Sequence, residues 1–155
     1  MQNILDKRQF AAGKGFGSGY SLKTSYFISG NGQSKGIFHI SAIGVGTNTF
    51  KHEEGSNNFV QRNKPLGWAQ GSDNRQVEFG FKWLYYHRLL IDIRAGKRDM
   101  GENNLLNNPY IPYFSYDRGK FPSGAVEVIK YFKFESKWVP NDYSSYNTKI
   151  QIIDS

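Results

Sequence analysis

Apolar and polar side chains alternate with a period of two along segments of about ten residues, which are separated by clusters of Gly, Asn, Pro and Ser. Such alternation is typical of β-strands that have one apolar and one polar face, and helical periodicity is scarce. Residues 77–85 show the pattern most clearly, with Glu78, Gly80 and Lys82 on the polar face. The opposite face, which we expect to point outward to lipid, carries Val77, Phe79, Phe81, Trp83 and Tyr85.

Six strands are predicted from this pattern, and their connections alternate between short and long. The connections near 30–35, 86–88 and 139–144 are short, and those at 47–75 and 99–124 are long. In an antiparallel meander every second connection lies at the same end, so both long loops share one end of the sheet. The predicted strands are about 19–29, 36–46, 77–85, 89–98, 125–138 and 146–152.

The fold class predicted is therefore all-β, as an antiparallel up-and-down meander. Short turns at one end and long loops at the other are typical of outer-membrane β-barrels, although a soluble β-sandwich shows the same alternation within its strands. Six strands are too few to close a barrel, because the smallest membrane-spanning closure has about eight. We expect residues 1–18 to be a flexible N-terminal segment and residues 19–155 to be an incomplete, internal or C-terminally clipped barrel segment.

Composition narrows the class of protein. The chain has 155 residues, of which 12 are Phe, 10 Tyr, 3 Trp and 17 Gly, unlike the aromatic-poor composition of disordered chains. No apolar run reaches the roughly 18 residues that a transmembrane helix needs. The sequence contains no Cys, which excludes disulfides, thiolate metal ligands and cysteine nucleophiles.

The charge favours an anionic partner, since 20 Lys and Arg against 13 Asp and Glu give a net charge of +7. Nucleic acid, an acidic polysaccharide and anionic lipid all meet this description. Lysines and aromatic residues interleave in three places, and in the second and third most of the aromatic and basic side chains fall on opposite faces. The three sets are Lys82-Trp83, Lys130-Tyr131-Phe132-Lys133-Phe134 and Lys137-Trp138. Stacking on bases together with phosphate contact needs both on one face, so we expect no nucleic-acid partner.

No motif indicates catalysis, a cofactor or a metal. In GKGFGSG at 13–19 the Lys precedes most of the glycines, and no Lys-Ser/Thr pair opens a helix as in a phosphate-binding loop. HEE at 52–54 lacks the second histidine of a zinc helix. Nothing resembles the strand-to-helix turn that exposes a serine nucleophile. A non-enzymatic protein with no catalytic residue, cofactor or metal site is expected.

The long loops carry the candidate binding residues. Loop 99–124 concentrates tyrosines among Asn, Asp and basic side chains, and Trp68 lies in the other long loop. Aromatic rings beside groups that hydrogen-bond hydroxyls are what a sugar site requires, and a self-packed surface loop is the alternative. The predicted polysaccharide contacts are Trp68, Asp73, Tyr110, Tyr113, Tyr116, Asp117 and Arg118.

Three short motifs occur in order between residues 55 and 138: NKPLGWAQGSD at 63–73 with the strand after it, KRDMGE at 97–102 and KFPSG at 120–124. On these motifs, residues 55–138 resemble the C-terminal part of the outer-membrane capsule assembly protein Wzi family. The chain departs from the family in lacking a signal peptide and the upstream half, and in ending without a terminal aromatic residue.

The resemblance implies a bacterial outer-membrane β-barrel that takes part in assembly or retention of capsular or other surface polysaccharide, without catalysis. Its partners would be outer-membrane lipid and a polysaccharide, with the charge favouring an acidic one. The alternative is a soluble all-β binding module for glycans or nucleic acid. One residue opposes the membrane interpretation: Lys130 falls on the apolar face of its strand, where exposure in mid-membrane costs about 2–4 kcal/mol.

Overall fold

Six long strands form one antiparallel meander in the computed structural model, which describes residues 18–30, 32–49, 60–62, 64–105, 120–141 and 143–155. The order across the sheet is β1-β2-β5-β6-β7-β8, and β3 and β4 form a separate two-stranded ladder. The predicted all-β meander is confirmed. The strands are β1 (Gly19–Ser29), β2 (Ser34–Val45), β3 (Val60–Gln61), β4 (Lys64–Pro65), β5 (Asn74–Tyr85), β6 (Leu89–Met100), β7 (Glu127–Asn141) and β8 (Ser144–Asp154).

Strand boundaries differ from the prediction where backbone pairing continues beyond the alternating pattern. β5 begins at Asn74 rather than at 77, and β7 continues to Asn141 rather than to 138. Beyond Trp138 the β7–β8 register shifts, and the Val139 amide donates to the Arg88 carbonyl at 2.8 Å. The ladder of β3 and β4 was not predicted, because a strand of two residues is too short to show alternation.

The chain divides into two compact units, which we describe separately. The sheet unit consists of Ser21–Ile43, Gln76–Arg98 and Val128–Ser155, and the loop unit of Met1–Tyr20, Gly44–Arg75 and Asp99–Glu127. The N-terminal segment predicted to be flexible lies outside the described residues, except for Ser18. Within the part of the chain that the structure describes, no helix is long and apolar enough to cross a membrane.

One face of the sheet unit is apolar and exposed. Directly opposite residues of an antiparallel pair share a face. In the β7–β8 register this face carries Phe132 opposite Ile152, Phe134 opposite Ile150, and Trp138 opposite Tyr146. On β5, Val77 and Phe79 are 44 % and 48 % exposed. The predicted separation of Val77, Phe79, Phe81, Trp83 and Tyr85 from Glu78 and Lys82 is thus present in the fold.

The other face of the sheet unit pairs its charges both within a strand and across strands. Asp92 Oδ2 lies 2.6 Å from the Arg94 guanidinium and 3.2 Å from Lys82 Nζ, and its side chain is nearly buried. Arg94 donates to both carboxylate oxygens of Asp92. Such two-point contacts between guanidinium and carboxylate are the stronger kind of ion pair. The carboxylate of Asp92 is therefore held between two cations.

A second set of contacts continues this pairing to other strands. Glu78 Oε2 accepts a hydrogen bond of 2.8 Å from the Tyr131 hydroxyl, and its Oε1 lies 3.6 Å from Nε2 of the buried His39. At the far side of the sheet Lys149 lies 3.1 Å from Glu135, the residue opposite it in the register. The polar contacts thus reach from β2 to β8.

Among the described residues, more polar than hydrophobic side chains are buried. Within that part of the chain the buried hydrophobic side chains are Val45, Leu105 and Ile129. Ionisable groups are ordinarily exposed unless paired. The buried polar residues are His39, Ser72, Asp73, Asn74, Asp92, Asp99 and Asn104.

Lys130, the lysine on the apolar face of β7, has a charged neighbour. Lys130 stands opposite Asp154 in the β7–β8 register. Lys130 lies three residues after the start of β7, and Asp154 is the last residue of β8. Opposite charges directly across an antiparallel pair are favourable neighbours. Asp154 thus gives the cation an oppositely charged neighbour at the end of β8, although the exposed Val128 continues the apolar face of β7 beyond it.

The turn between β5 and β6 is tight. Tyr86 and His87 have φ angles of 48° and 56°, which places both in the left-handed region. Two such residues in succession are typical of the type I′ hairpin turn, which ordinarily uses Asn and Gly. The Tyr85 and Tyr86 rings meet edge to face with centroids 4.5 Å apart. This short connection keeps bulky aromatic residues at the hairpin tip.

Gly80 makes room for His39 on the polar face, because a Cβ at residue 80 would overlap the imidazole ring. We expect Gly80→Ala to lower the free energy of unfolding by about 1–3 kcal/mol, the usual effect of overpacking. Adding His39→Ala removes the overlapping ring, so the double variant should recover much of that loss. Urea denaturation of the four variants of this cycle measures the coupling. Additive effects would contradict the contact.

Candidate functional site at the long connections

Asp73 is the centre of the loop unit. Its side chain is fully buried, with 0 % exposure, and its φ is 57°. Oδ1 accepts hydrogen bonds from the Thr47 hydroxyl at 2.7 Å and the Ser123 amide at 2.9 Å. Oδ2 accepts from the Ser123 hydroxyl at 2.5 Å and the Asn103 amide at 3.0 Å. We call Thr47, Asp73, Asn103 and Ser123 the Asp73 cluster.

Backbone contacts reinforce the Asp73 cluster. The Gly101 amide donates to the Asp73 carbonyl at 2.8 Å, and the Glu102 amide donates to the Ser123 carbonyl at 3.0 Å. A Cβ at residue 101 would overlap the Asp73 carboxylate and would come within 2.6 Å of the Ser123 amide nitrogen. Only glycine allows these three chain segments to approach so closely.

Two asparagines fix the turn that carries Trp68. Asn74 and Asn104 each donate from Nδ2 to the carbonyls of Gln70 and Ser72, at 2.7–3.0 Å. The Gly71 amide in turn donates to the Trp68 carbonyl at 2.9 Å, and Trp68 itself is half-buried. The turn that carries Trp68 is therefore anchored by one nearby side chain, Asn74, and by one from a distant part of the sequence, Asn104.

The structure brings together the segments on which the family resemblance rests. Asp73 closes the segment 63–73, Gly101 and Glu102 close 97–102, and Ser123 lies in 120–124. Sequence reasoning did not identify Thr47, Asn103 or Ser123 as functional residues. Short polar residues beside glycines in all three segments are the signal that could have indicated a hydrogen-bonded cluster.

Two of the predicted polysaccharide contacts lie in the described residues. Trp68 is half-buried on its turn, and Asp73 is enclosed within the cluster. A carboxylate with no exposed surface and four donors around it has no face to offer a polymer, so the contacts of Asp73 are those of a residue that positions the connections. The remaining predicted residues, which lie outside the described part, are Tyr110, Tyr113, Tyr116, Asp117 and Arg118.

The polar face of the sheet unit contains a separate open pocket of about 330 Å³. This volume is at the lower end of the range for small-ligand sites. The lining holds charged and amide groups but no aromatic ring on which a sugar could stack, so we do not assign it as a sugar site. Its lining residues are Leu90, Asp92, Glu135, Ser136, Lys137, Asn147, Thr148 and Lys149.

Metal chemistry has no candidate in the described ranges, where no three His, Cys, Asp or Glu side chains converge as ligands. The four partners of the Asp73 carboxylate are two hydroxyls and two backbone amides. What the arrangement can do is to hold the ends of both long connections in a fixed position, because Thr47, Asp73, Asn103 and Ser123 lie near those ends.

Asp73→Asn tests this role. Asn tolerates the left-handed backbone as well as Asp does, so the substitution leaves the turn intact and removes only the carboxylate. One amide nitrogen then faces donors in place of an acceptor, and we expect the free energy of unfolding to fall by about 2–4 kcal/mol. Thr47→Val, which removes one hydrogen bond, should cost about 1 kcal/mol. Equal losses in urea denaturation would contradict the central role of Asp73.

Comparison of the chain with protein-family models, with curated proteins and with solved structures finds no match. The likeness to the Wzi family therefore stays a prediction from the sequence. A function has to be argued from the geometry of the described residues, namely the reversed polarity of the sheet unit and the cluster that holds the long connections.

Proposed function

We propose that this chain forms part of the wall of a bacterial outer-membrane β-barrel and that its long loops contact surface polysaccharide, without catalysis. The observation that carries the membrane part is the reversed polarity of the sheet unit. Large apolar side chains are exposed on one face, whereas ionisable side chains are paired and buried on the other. Strands of membrane barrels alternate between apolar residues facing lipid and polar residues facing the lumen.

Aromatic residues mark one border of the apolar face. Five aromatic residues on this face each lie within three residues of a strand end that adjoins a short turn. Trp138 and Tyr146 pack with ring centroids 5.5 Å apart, and Phe81 and Trp83 stack at 6.0 Å. Tyr and Trp are enriched where a barrel crosses the membrane interface. The residues of this aromatic border are Tyr26, Trp83, Tyr85, Trp138 and Tyr146.

Charged residues mark the other border. On β8 the apolar face ends at Asp154, opposite Lys130 of β7, and on β6 it reaches Lys97. On β7 the exposed Val128 lies beyond Lys130 on the same face. The run Val77–Tyr85 between the two borders spans about 27 Å at about 3.3 Å per residue. Transmembrane strands need about 9–11 residues, and the six long strands have 11–15. The apolar face therefore has the height that lipid contact requires.

The polysaccharide part of the proposal depends on the loops and on charge. Loop 99–124 is rich in tyrosine, and the net charge of +7 favours an acidic polymer. Arg118 and Lys120 would bind carboxylates through charge-assisted hydrogen bonds. The Asp73 cluster supports this part because it holds the ends of both long connections in one place, so that their side chains can act together.

Tryptophan fluorescence tests the membrane location. A variant retaining only Trp83 (Trp68→Phe, Trp138→Phe) is folded into phosphatidylcholine liposomes whose acyl chains carry bromine, a contact quencher. We expect roughly a twofold loss of emission, since an indole on the apolar face lies against lipid.

The matched control retains only Trp68 (Trp83→Phe, Trp138→Phe). Its emission should change little, because Trp68 lies in a long connection, which the proposal places outside the membrane. Equal quenching of both variants would contradict the proposed orientation. A folded, monomeric chain in buffer without detergent would favour the soluble binding module instead.

Polysaccharide contact is tested on cells that display the protein. Replacing Tyr113 and Tyr116 together with Ala should reduce retention of surface polysaccharide, because aromatic stacking contributes much of the affinity for sugars. The barrel's resistance to heat in gels should stay unchanged. Tyr143→Ala is the matched control, since this tyrosine is 99 % exposed and adjoins the short β7–β8 connection. Unchanged retention, or loss of folding in the double variant, would count against the site.

A further inference from the structure

The two outer strands of the sheet expose their full length. β1 and β8 lie at opposite edges, and among the described residues no strand pairs with the outer side of either. Every residue of β1 is exposed, and so is every residue of β8 after the first. Each outer edge therefore presents a row of backbone amides and carbonyls for pairing.

Neither edge carries the features by which soluble proteins protect an edge strand. Such features are proline, a bulge, several charges or a very short strand. β1 has 11 residues and a single charge, Lys23, and β8 has 11 residues with only Lys149 and Asp154 charged. Neither strand contains proline, and the register shift in this ladder lies beyond Trp138 of β7. These edges are suited to pairing with another strand.

The two edges also match each other. The meander has an even number of strands, so β1 and β8 run in opposite directions. β8 of one copy can therefore pair in antiparallel fashion with β1 of a second copy while their apolar faces stay on the same side. Equal strand lengths allow the pairing to run from end to end.

Several registers between β8 of one copy and β1 of another keep the apolar faces on the same side, and the charged residues distinguish among these registers. A register that places Lys23 opposite Lys149 is unfavourable, because like charges directly across a pair repel. Shifting by two residues places Ser25 opposite Lys149 and Leu22 opposite Ile152. That register removes the repulsion and joins apolar to apolar side chains across the junction.

We propose that a second copy of this chain occupies both edges, with β8 of each copy paired to β1 of the other. Two copies then give a ring of twelve strands, which exceeds the roughly eight needed for closure. The contact is head to tail, and because the ring of strands closes, the assembly has a defined number of copies. The proposal concerns the sheet edges and does not depend on which polymer the loops bind.

Cysteine cross-linking tests this arrangement, and the natural absence of cysteine gives a clean background. Ser25→Cys is prepared in one sample of the chain and Lys149→Cys in another, both folded in detergent micelles. Paired Cβ atoms across a ladder lie about 4.5–5.5 Å apart, close to disulfide geometry. We expect the mixed samples to form a disulfide-linked dimer under mild oxidation, and each sample alone to form little.

Thr24→Cys mixed with Lys149→Cys is the matched control, because these positions lie on opposite faces and should not link. Dimers from Ser25→Cys alone would overturn the head-to-tail pairing in favour of β1 against β1. Sedimentation equilibrium of the unmodified chain in detergent is the second measurement and needs no variant to fold. A monomer there would overturn the proposal, as expected if strands of another polypeptide occupy the edges, while leaving the tryptophan result unaffected.

Discussion

The pairing of charges across the polar face is the interaction on which the sheet unit depends. Asp92 is held by Arg94 and Lys82, and Glu78 by Tyr131 beside His39. A nearly buried carboxylate without such partners would cost several kcal/mol. Lys82–Asp92 and His39–Glu78 join neighbouring strands, and the Tyr131–Glu78 hydrogen bond reaches from β7 to β5. These contacts give the polar face the cohesion that an apolar core gives to other folds. The apolar side chains of the opposite face are left exposed.

The Asp73 cluster solves a different problem, that of ending long connections reproducibly. One buried carboxylate collects donors from three segments that are distant in sequence, and Gly101 allows their backbones to meet. Hydrogen bonds to a charged acceptor are stronger than neutral ones. If two long loops form one contact surface, their ends must be held together, since each loop would otherwise vary in position independently of the other. The Asp73 cluster thus fixes the long connections, whereas the polar face joins the strands.

The six long strands, their order and their two faces could be predicted from the sequence, because alternation with period two repeats in every strand. The hydrogen-bond and ion-pair partners of individual side chains could not be predicted. Asp73 was predicted to contact polymer, and the sequence contains no sign that Ser123 and Thr47 enclose it. Lys130 was the residue that opposed a membrane face in the sequence pattern, and only the register shows that Asp154 stands opposite it. Long-range pairing depends on register and close packing, which a local pattern does not encode.

The alternation of short and long connections also has a consequence for folding kinetics. β1 with β2, β5 with β6, and β7 with β8 form hairpins of low contact order, which close on a microsecond scale in isolated systems. Joining these hairpins requires closure of the two long connections, whose chain entropy grows with length. The Asp73 cluster forms at those closures, so it stabilises the slow, late contacts rather than the fast ones. Assembly would then proceed hairpin by hairpin, with the loop ends set last.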